Sequence, residues 1–134
     1  CIMKQLLIAR HGNTFLPTQT PTRVGGRTDL PLVPSGELQA ADLAQFLLLN
    51  NLIPQKIYTS HLQRTTRMAD IICEKLSRDI PTQAVSIFNE IDYGPDENKT
   101  EDEVISRIGA QAIKDWDEKG IAPDGWVVDP PSII

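Results

Sequence analysis

The chain has 134 residues, 40% of them hydrophobic and 23% charged, which suits one packed domain and argues against disorder. A net charge of −5 leaves no basic footprint, so neither nucleic acid nor an anionic membrane surface is an expected partner. No apolar stretch approaches the roughly 20 residues that span a bilayer.

The N-terminal residues Met3-Lys4-Gln5 read like a natural start, with Cys1 and Ile2 as extra residues. A lipoprotein beginning on Cys1 is the less favoured reading, because a strand would follow with no tether. The apolar run at 5–9 (QLLIA) predicts a buried strand of an α/β sheet. Residues 12–34 hold four prolines and three glycines, which predicts a long loop. Ser35 is placed to N-cap a helix over 36–49, whose buried face would be Ala40, Leu43, Ala44 and Leu47. A second strand is predicted at 56–59 and a second helix over 62–77. That helix carries Leu62, Thr65, Ala69, Ile72, Cys73 and Leu76 at helical spacing. The other cysteine is Cys1, so neither a disulfide framework nor a metal motif is present, and a reduced, cytoplasmic setting is expected. A third strand is predicted at 84–88, then a polar loop over 92–100. Thr100 and Glu103 form a capping box for a helix ending at Lys119-Gly120, with Val104, Ile105, Ile108 and Ala112 inward. The alternation of strands and helices predicts an α/β fold.

In such sheets, ligand groups gather beyond the carboxyl ends of the strands. Arg10-His11-Gly12 follows the first predicted strand, Ser60 to Arg64 follows the second, and Glu90 follows the third. His11 is either a buried, hydrogen-bonded structural residue or a reacting group at a strand end. Arg64 alone could equally be a solvated helix residue. Their joint placement after separate strands favours a shared site. No glycine-rich phosphate loop ends in Gly-Lys-Ser or Gly-Lys-Thr, and no spacing of His, Cys and carboxylates marks a zinc site.

Four ordered segments carry a resemblance: RHGNT at 10–14, GRTDLPLVPSGELQA at 26–40, IYTSHLQRTTRMADII at 57–72 and NEIDYG at 89–94. Together they resemble the histidine phosphatase superfamily, which includes the phosphoglycerate mutases. The resemblance implies a three-layer α/β/α fold with a mostly parallel central sheet, over a single domain spanning residues 1–134. It implies that His11 takes up a phosphoryl group, that Arg10 and Arg64 clamp the phosphoryl oxygens, and that Glu90 serves as general acid and then base. Gly12 would let backbone approach the phosphate, with Asn13, Arg27, Thr28 and Ser60 as further contacts. A small phosphorylated substrate is implied and no cofactor or metal, since the arginines supply positive charge. Asp92, Asp96 and Glu97 are rivals to Glu90. His61 is expected at the pocket rim. Arg23 either reaches into the pocket or faces water. Arg67 and Arg78 are expected to be surface charges.

The sequence departs from the family in three places. The family places a second histidine on a later strand, and this sequence has none after His61. The chain therefore reads as a domain lacking its C-terminal part, or as a divergent member. A missing inner strand would leave the chain poorly stable alone or pairing with a second copy through the open edge, with activity reduced. Asn98 stands where the family often has glycine, and Pro95-Asp96-Glu97 lacks the family's aromatic residue, so a differently shaped acidic loop is expected. Phe15-Leu16-Pro17-Thr18 lacks the tryptophan-asparagine pair of the mutases. Phosphomonoester hydrolysis is thus preferred over mutase activity, and a non-catalytic phosphate-ester binder is the third reading.

Overall fold

The computed structural model describes residues 4–128; the readings of Cys1–Met3 and of the last six residues lie outside them. Four helices and a parallel two-stranded sheet give an α/β architecture. They are α1 (Pro34–Leu49), β1 (Ile57–Thr59), α2 (Gln63–Leu76), β2 (Thr82–Ala84), α3 (Glu101–Ile108) and α4 (Ala110–Lys119).

The core lies where α1 meets α2. Ala40 and Ala44, one turn apart, are fully buried and let α2 approach closely. Leu47 joins them from α1; Met68, Ile71, Ile72 and Leu76 answer from α2, and Leu32 and Ile80 close the cluster. Each large side chain removed from water here contributes roughly 1.5–3 kcal/mol. Strand β1 pairs β2 with Ile57 opposite Thr82 and Thr59 opposite Ala84. The Val85 N–H extends that ladder to the Thr59 carbonyl at 2.8 Å.

Several boundaries differ from the sequence expectation, each for a local reason. Helix α1 begins at Pro34, because proline presets φ and lacks only an N–H that the first turn would leave unpaired. Ser35 lies inside the first turn, does not cap, and accepts from Asn13 Nδ2 at 3.3 Å. The predicted helix over 100–119 is two helices, broken where Gly109 takes φ +86°. Its capping box is present: Thr100 Oγ1 accepts from the Glu103 N–H at 3.2 Å. Val104 is fully buried, but Ile105 is 37% exposed rather than inward.

The predicted strand at 84–88 is displaced to 82–84, and a 3-10 turn over Ser86–Phe88 follows. The predicted strand at 5–9 does not form. No ladder partner lies beside it among the described residues, and Leu6 and Ile8 are 83% and 88% exposed. An apolar run becomes a strand only where a neighbour supplies the hydrogen bonds.

The segment after α4 returns to the acidic loop. The Val127 N–H donates to the Asp92 carbonyl at 2.8 Å, and Trp126 is buried beside Tyr93. No helix among the described residues is long and apolar enough to cross a membrane.

Candidate functional site

The loop bearing His11 is docked on the N-terminus of α1. Gly12 and Gly36 touch backbone to backbone, and a Cβ on either would overlap the other segment's main chain. Asn13 fixes the contact: its N–H donates to Gln39 Oε1 at 2.7 Å and its carbonyl accepts from the Val33 N–H at 3.0 Å. Gly12 therefore serves a backbone contact to α1. The His11 imidazole is half-buried, with Nδ1 2.7 Å from the Gly12 carbonyl oxygen. Burial pushes its pKa below 6.5, and the positive charges of Arg64 and Arg10 add to that; the Gly12 carbonyl and the Glu90 charge act the other way.

Arg64 is the second residue of α2 and the largest fully buried side chain, at 1% exposure. The turn that presents it is capped from outside the helix. Ser60 Oγ accepts from the Leu62 N–H at 3.2 Å and lies 2.7 Å from Thr65 Oγ1, while Asp29 Oδ1 accepts from the Gln63 N–H at 2.7 Å. The guanidinium donates from Nη1 to the Thr28 carbonyl at 2.7 Å and from Nη2 to the Val24 carbonyl at 3.5 Å. Its Nε is buried with no partner among the described residues. Burial lowers the Arg64 pKa, against the negative charges of Glu90, Asp29 and Glu97.

The acidic segment sorts itself by partners. Both Asp92 oxygens accept from Arg27 Nε at 2.9 Å, which holds Asp92 below the usual carboxylate range. Asp96 is buried, and Arg107 grips it from Nε at 2.7 Å and from Nη2 at 2.6 Å, with Trp126 Nε1 donating at 2.7 Å. Glu97 accepts from the Arg27 N–H at 3.0 Å, Thr28 Oγ1 at 2.8 Å and the Tyr93 N–H at 2.9 Å. Glu90 is the exposed one, and among the described residues it meets the Ile91 N–H beside it at 3.3 Å. Its charge acts on His11, Arg64 and Tyr93 alike.

His11 feels the charges of Arg10, Arg64 and Glu90, Arg64 feels that of Glu90, and Thr28 meets Arg64 through its carbonyl. Arg10 is exposed beside His11. Arg27 is spent on Asp92 and on the Gly94 carbonyl at 2.7 Å. The His61 side chain is exposed, and the residue's backbone N–H donates to Asn89 Oδ1 at 2.9 Å. Arg67 lies at the surface between Glu37 and Glu74. Arg23 lies over both the Tyr93 and the Trp126 ring, which pack edge to face, at 5.1 and 5.0 Å from their centres, and pairs with Glu101 at 3.1 Å.

Sequence reasoning missed the Asp96–Arg107–Trp126 knot, whose only signal was a lone tryptophan after Asp124-Gly125. A 360 Å³ cavity lies beside that knot, lined by Arg107, Ile108, Asp115 and Asp124 among others, and none of its lining residues belongs to the His11 group. Among the described residues, no three His, Cys, Asp or Glu side chains are placed to hold a metal ion.

The family model of the histidine phosphatase superfamily (branch 1) matches residues 6–128. A 2,3-bisphosphoglycerate-dependent phosphoglycerate mutase of Elusimicrobium minutum is 29% identical over 131 residues, which is 96% of this chain and 52% of that protein. Human 6-phosphofructo-2-kinase/fructose-2,6-bisphosphatase 4 is 30% identical over 116 residues, 86% of this chain and 23% of that one. The structure of Bacillus stearothermophilus YhfR superposes with a TM-score of 0.67 at 29% identity, covering 80% of this chain and 50% of its own. A mycobacterial glucosyl-3-phosphoglycerate phosphatase shares the fold at 22% identity and a TM-score of 0.66, over 87% of this chain and 51% of that one. The chain spans about half the length of the curated phosphoglycerate mutases it matches. On the family match and the shared fold together, this chain belongs to the histidine phosphatase superfamily, with a phosphoglycerate mutase-like α/β fold.

Proposed function

We propose that the protein hydrolyses a small phosphomonoester through a phosphohistidine formed on His11. The observation that carries this reading is the bond between His11 Nδ1 and the Gly12 carbonyl. A carbonyl only accepts, so Nδ1 carries the proton and Nε2 keeps its lone pair. The depressed pKa keeps the ring neutral, hence nucleophilic, at lower pH than a free imidazole.

In the first half-reaction Nε2 attacks phosphorus, the ester P–O bond breaks, and Glu90 gives its proton to the leaving oxygen. In the second, Glu90 takes a proton from water, the water oxygen bonds phosphorus, and the P–N bond breaks to release orthophosphate. Arg10 and Arg64 oppose the charge on the equatorial oxygens. Arg64 has five N–H groups and gives two to carbonyls, which leaves three for an anion.

A mutase reading, in which phosphohistidine returns its phosphoryl group to a second hydroxyl, is favoured by the 29% identity to a phosphoglycerate mutase. The third reading is a binder without turnover. The test is p-nitrophenyl phosphate hydrolysis by the intact gene product and its His11→Ala variant, between about pH 5 and 8. Hydrolysis that disappears in the variant supports the proposal. Phosphoryl return to an added acceptor alcohol in place of orthophosphate release supports the mutase. Bound phosphate without turnover supports the binder.

A further inference from the structure

Glu97 joins the two halves of the site. Its Oε1 accepts from the Arg27 N–H and from Thr28 Oγ1, and its Oε2 accepts from the Tyr93 N–H. The Thr28 carbonyl in turn accepts from Arg64 Nη1 at 2.7 Å. Tyr93 lies three residues after Glu90 on the same segment, where the Gly26 N–H also donates to the Ile91 carbonyl at 2.8 Å. Gly25 has room for no side chain, because a Cβ there would overlap Glu97 Oε2 and the Ile91 carbonyl. The 25–28 loop and the 90–97 segment are therefore closed around this one carboxylate. Two of the partners are backbone N–H groups, one on each oxygen, so both oxygens must accept; an amide would turn an N–H toward one of them.

We propose that Glu97 is a positioning residue, which fixes the Thr28 carbonyl that orients Arg64 and, through Tyr93, the segment that carries Glu90. This rests on the phosphate-site reading above and names a further residue that the site depends on. The electrostatic expectation has the opposite sign. Glu97 places a negative charge near Arg64, so its neutralisation alone would strengthen anion binding. Loss of positioning weakens it.

The experiment uses the intact gene product and measures inorganic orthophosphate binding by calorimetry, with KM and kcat for p-nitrophenyl phosphate. Glu97→Gln is expected to weaken orthophosphate binding about tenfold and to raise KM, the scale of disturbed hydrogen bonds at a charged group. Arg107→Gln is the stability control: it lowers the melting temperature by breaking the Asp96 pair and leaves orthophosphate binding unchanged. Equal or tighter orthophosphate binding by Glu97→Gln overturns the proposal. So does equal weakening in both variants, or no orthophosphate binding by the unsubstituted protein. If Glu97→Gln does not fold, Thr28→Val removes one of the three donors; weaker binding supports the proposal and unchanged binding overturns it. Turnover that persists in His11→Ala, with binding still sensitive to Glu97, contradicts the phosphohistidine reaction and leaves the positioning role standing.

Discussion

The His11 ring and the Gly12 carbonyl are joined by a 2.7 Å hydrogen bond between neighbouring residues, so the tautomer of the imidazole is set by the loop that carries it. Burial and two nearby arginines disfavour the imidazolium. The folded-state pKa lies below the unfolded value near 6.5, so the unfolded chain takes up the proton first. This contribution to stability is fully present above pH 6.5 and is lost as pH falls from there through the folded pKa. NMR titration of the His11 ring is expected to give a midpoint below 6.5; a midpoint above it contradicts the electrostatics described.

Glu90 is set apart from its acidic neighbours by what it lacks. Among the described residues, Asp92, Asp96 and Glu97 are each held by two or more donors, while Glu90 meets its neighbour's N–H alone. Glu90→Gln is expected to reduce turnover by roughly 10²–10⁴-fold, the usual range for a general acid–base group, with little change in orthophosphate binding. Asp92→Asn should leave the chemical step in place. Steady-state kinetics on the two variants decide the matter, and the reverse ranking would move the proton-transfer role to Asp92.

The buried Asp96 carboxylate depends on Arg107. Arg107→Ala leaves it with the Trp126 N–H as its side-chain partner, so the cost should fall near the low end of roughly 3–5 kcal/mol for breaking a buried pair. Urea denaturation measures it, and a loss within about 0.5 kcal/mol, the range of a surface change, would contradict the pairing. The arginine's hydrogen bonds hold the Asp96 pKa below 3.8. Its stabilisation is therefore present above pH 3.8 and is lost as pH falls through the folded value.

Asn98 occupies the left-handed region at φ +59° and accepts from Thr22 Oγ1 at 2.8 Å. Asn98→Val should cost at least about 1 kcal/mol more than Asn98→Gly, because a β-branched residue is strained there and glycine is not. Thermal melts of the two variants compare them directly; equal losses would show that the side-chain bond matters more than the backbone angle.

Much of this was legible in the sequence because it is local. The helical spacing of Ala40, Ala44 and Leu47, and of Ala69, Ile72 and Leu76, marks the buried faces of α1 and α2, and Thr100 with Glu103 marks the start of α3. RHGNT and SHLQR bring out His11 and Arg64 as candidates through their placement after separate predicted strands and through the family resemblance. What stayed hidden depends on distant partners. Arg27 meets Asp92 across 65 residues and Arg64 meets Thr28 across 36, so neither could be read from spacing. The apolar run at 5–9 looks like a strand, yet strand formation requires a neighbour it does not have among the described residues. Apolar spacing continues through 100–119, but Gly109 breaks the helix by its backbone angle alone. Asn98 read as a change of loop shape, whereas asparagine adopts the left-handed angle that glycine would otherwise supply.

Trapping the intermediate tests the His11 chemistry itself. The intact gene product is mixed with p-nitrophenyl phosphate, quenched in alkali, where phosphohistidine survives, and digested for mass spectrometry. A phosphoryl group is expected on the peptide bearing His11, and none in His11→Ala. Turnover with an unmodified His11, or with the phosphoryl group on another residue, would contradict it.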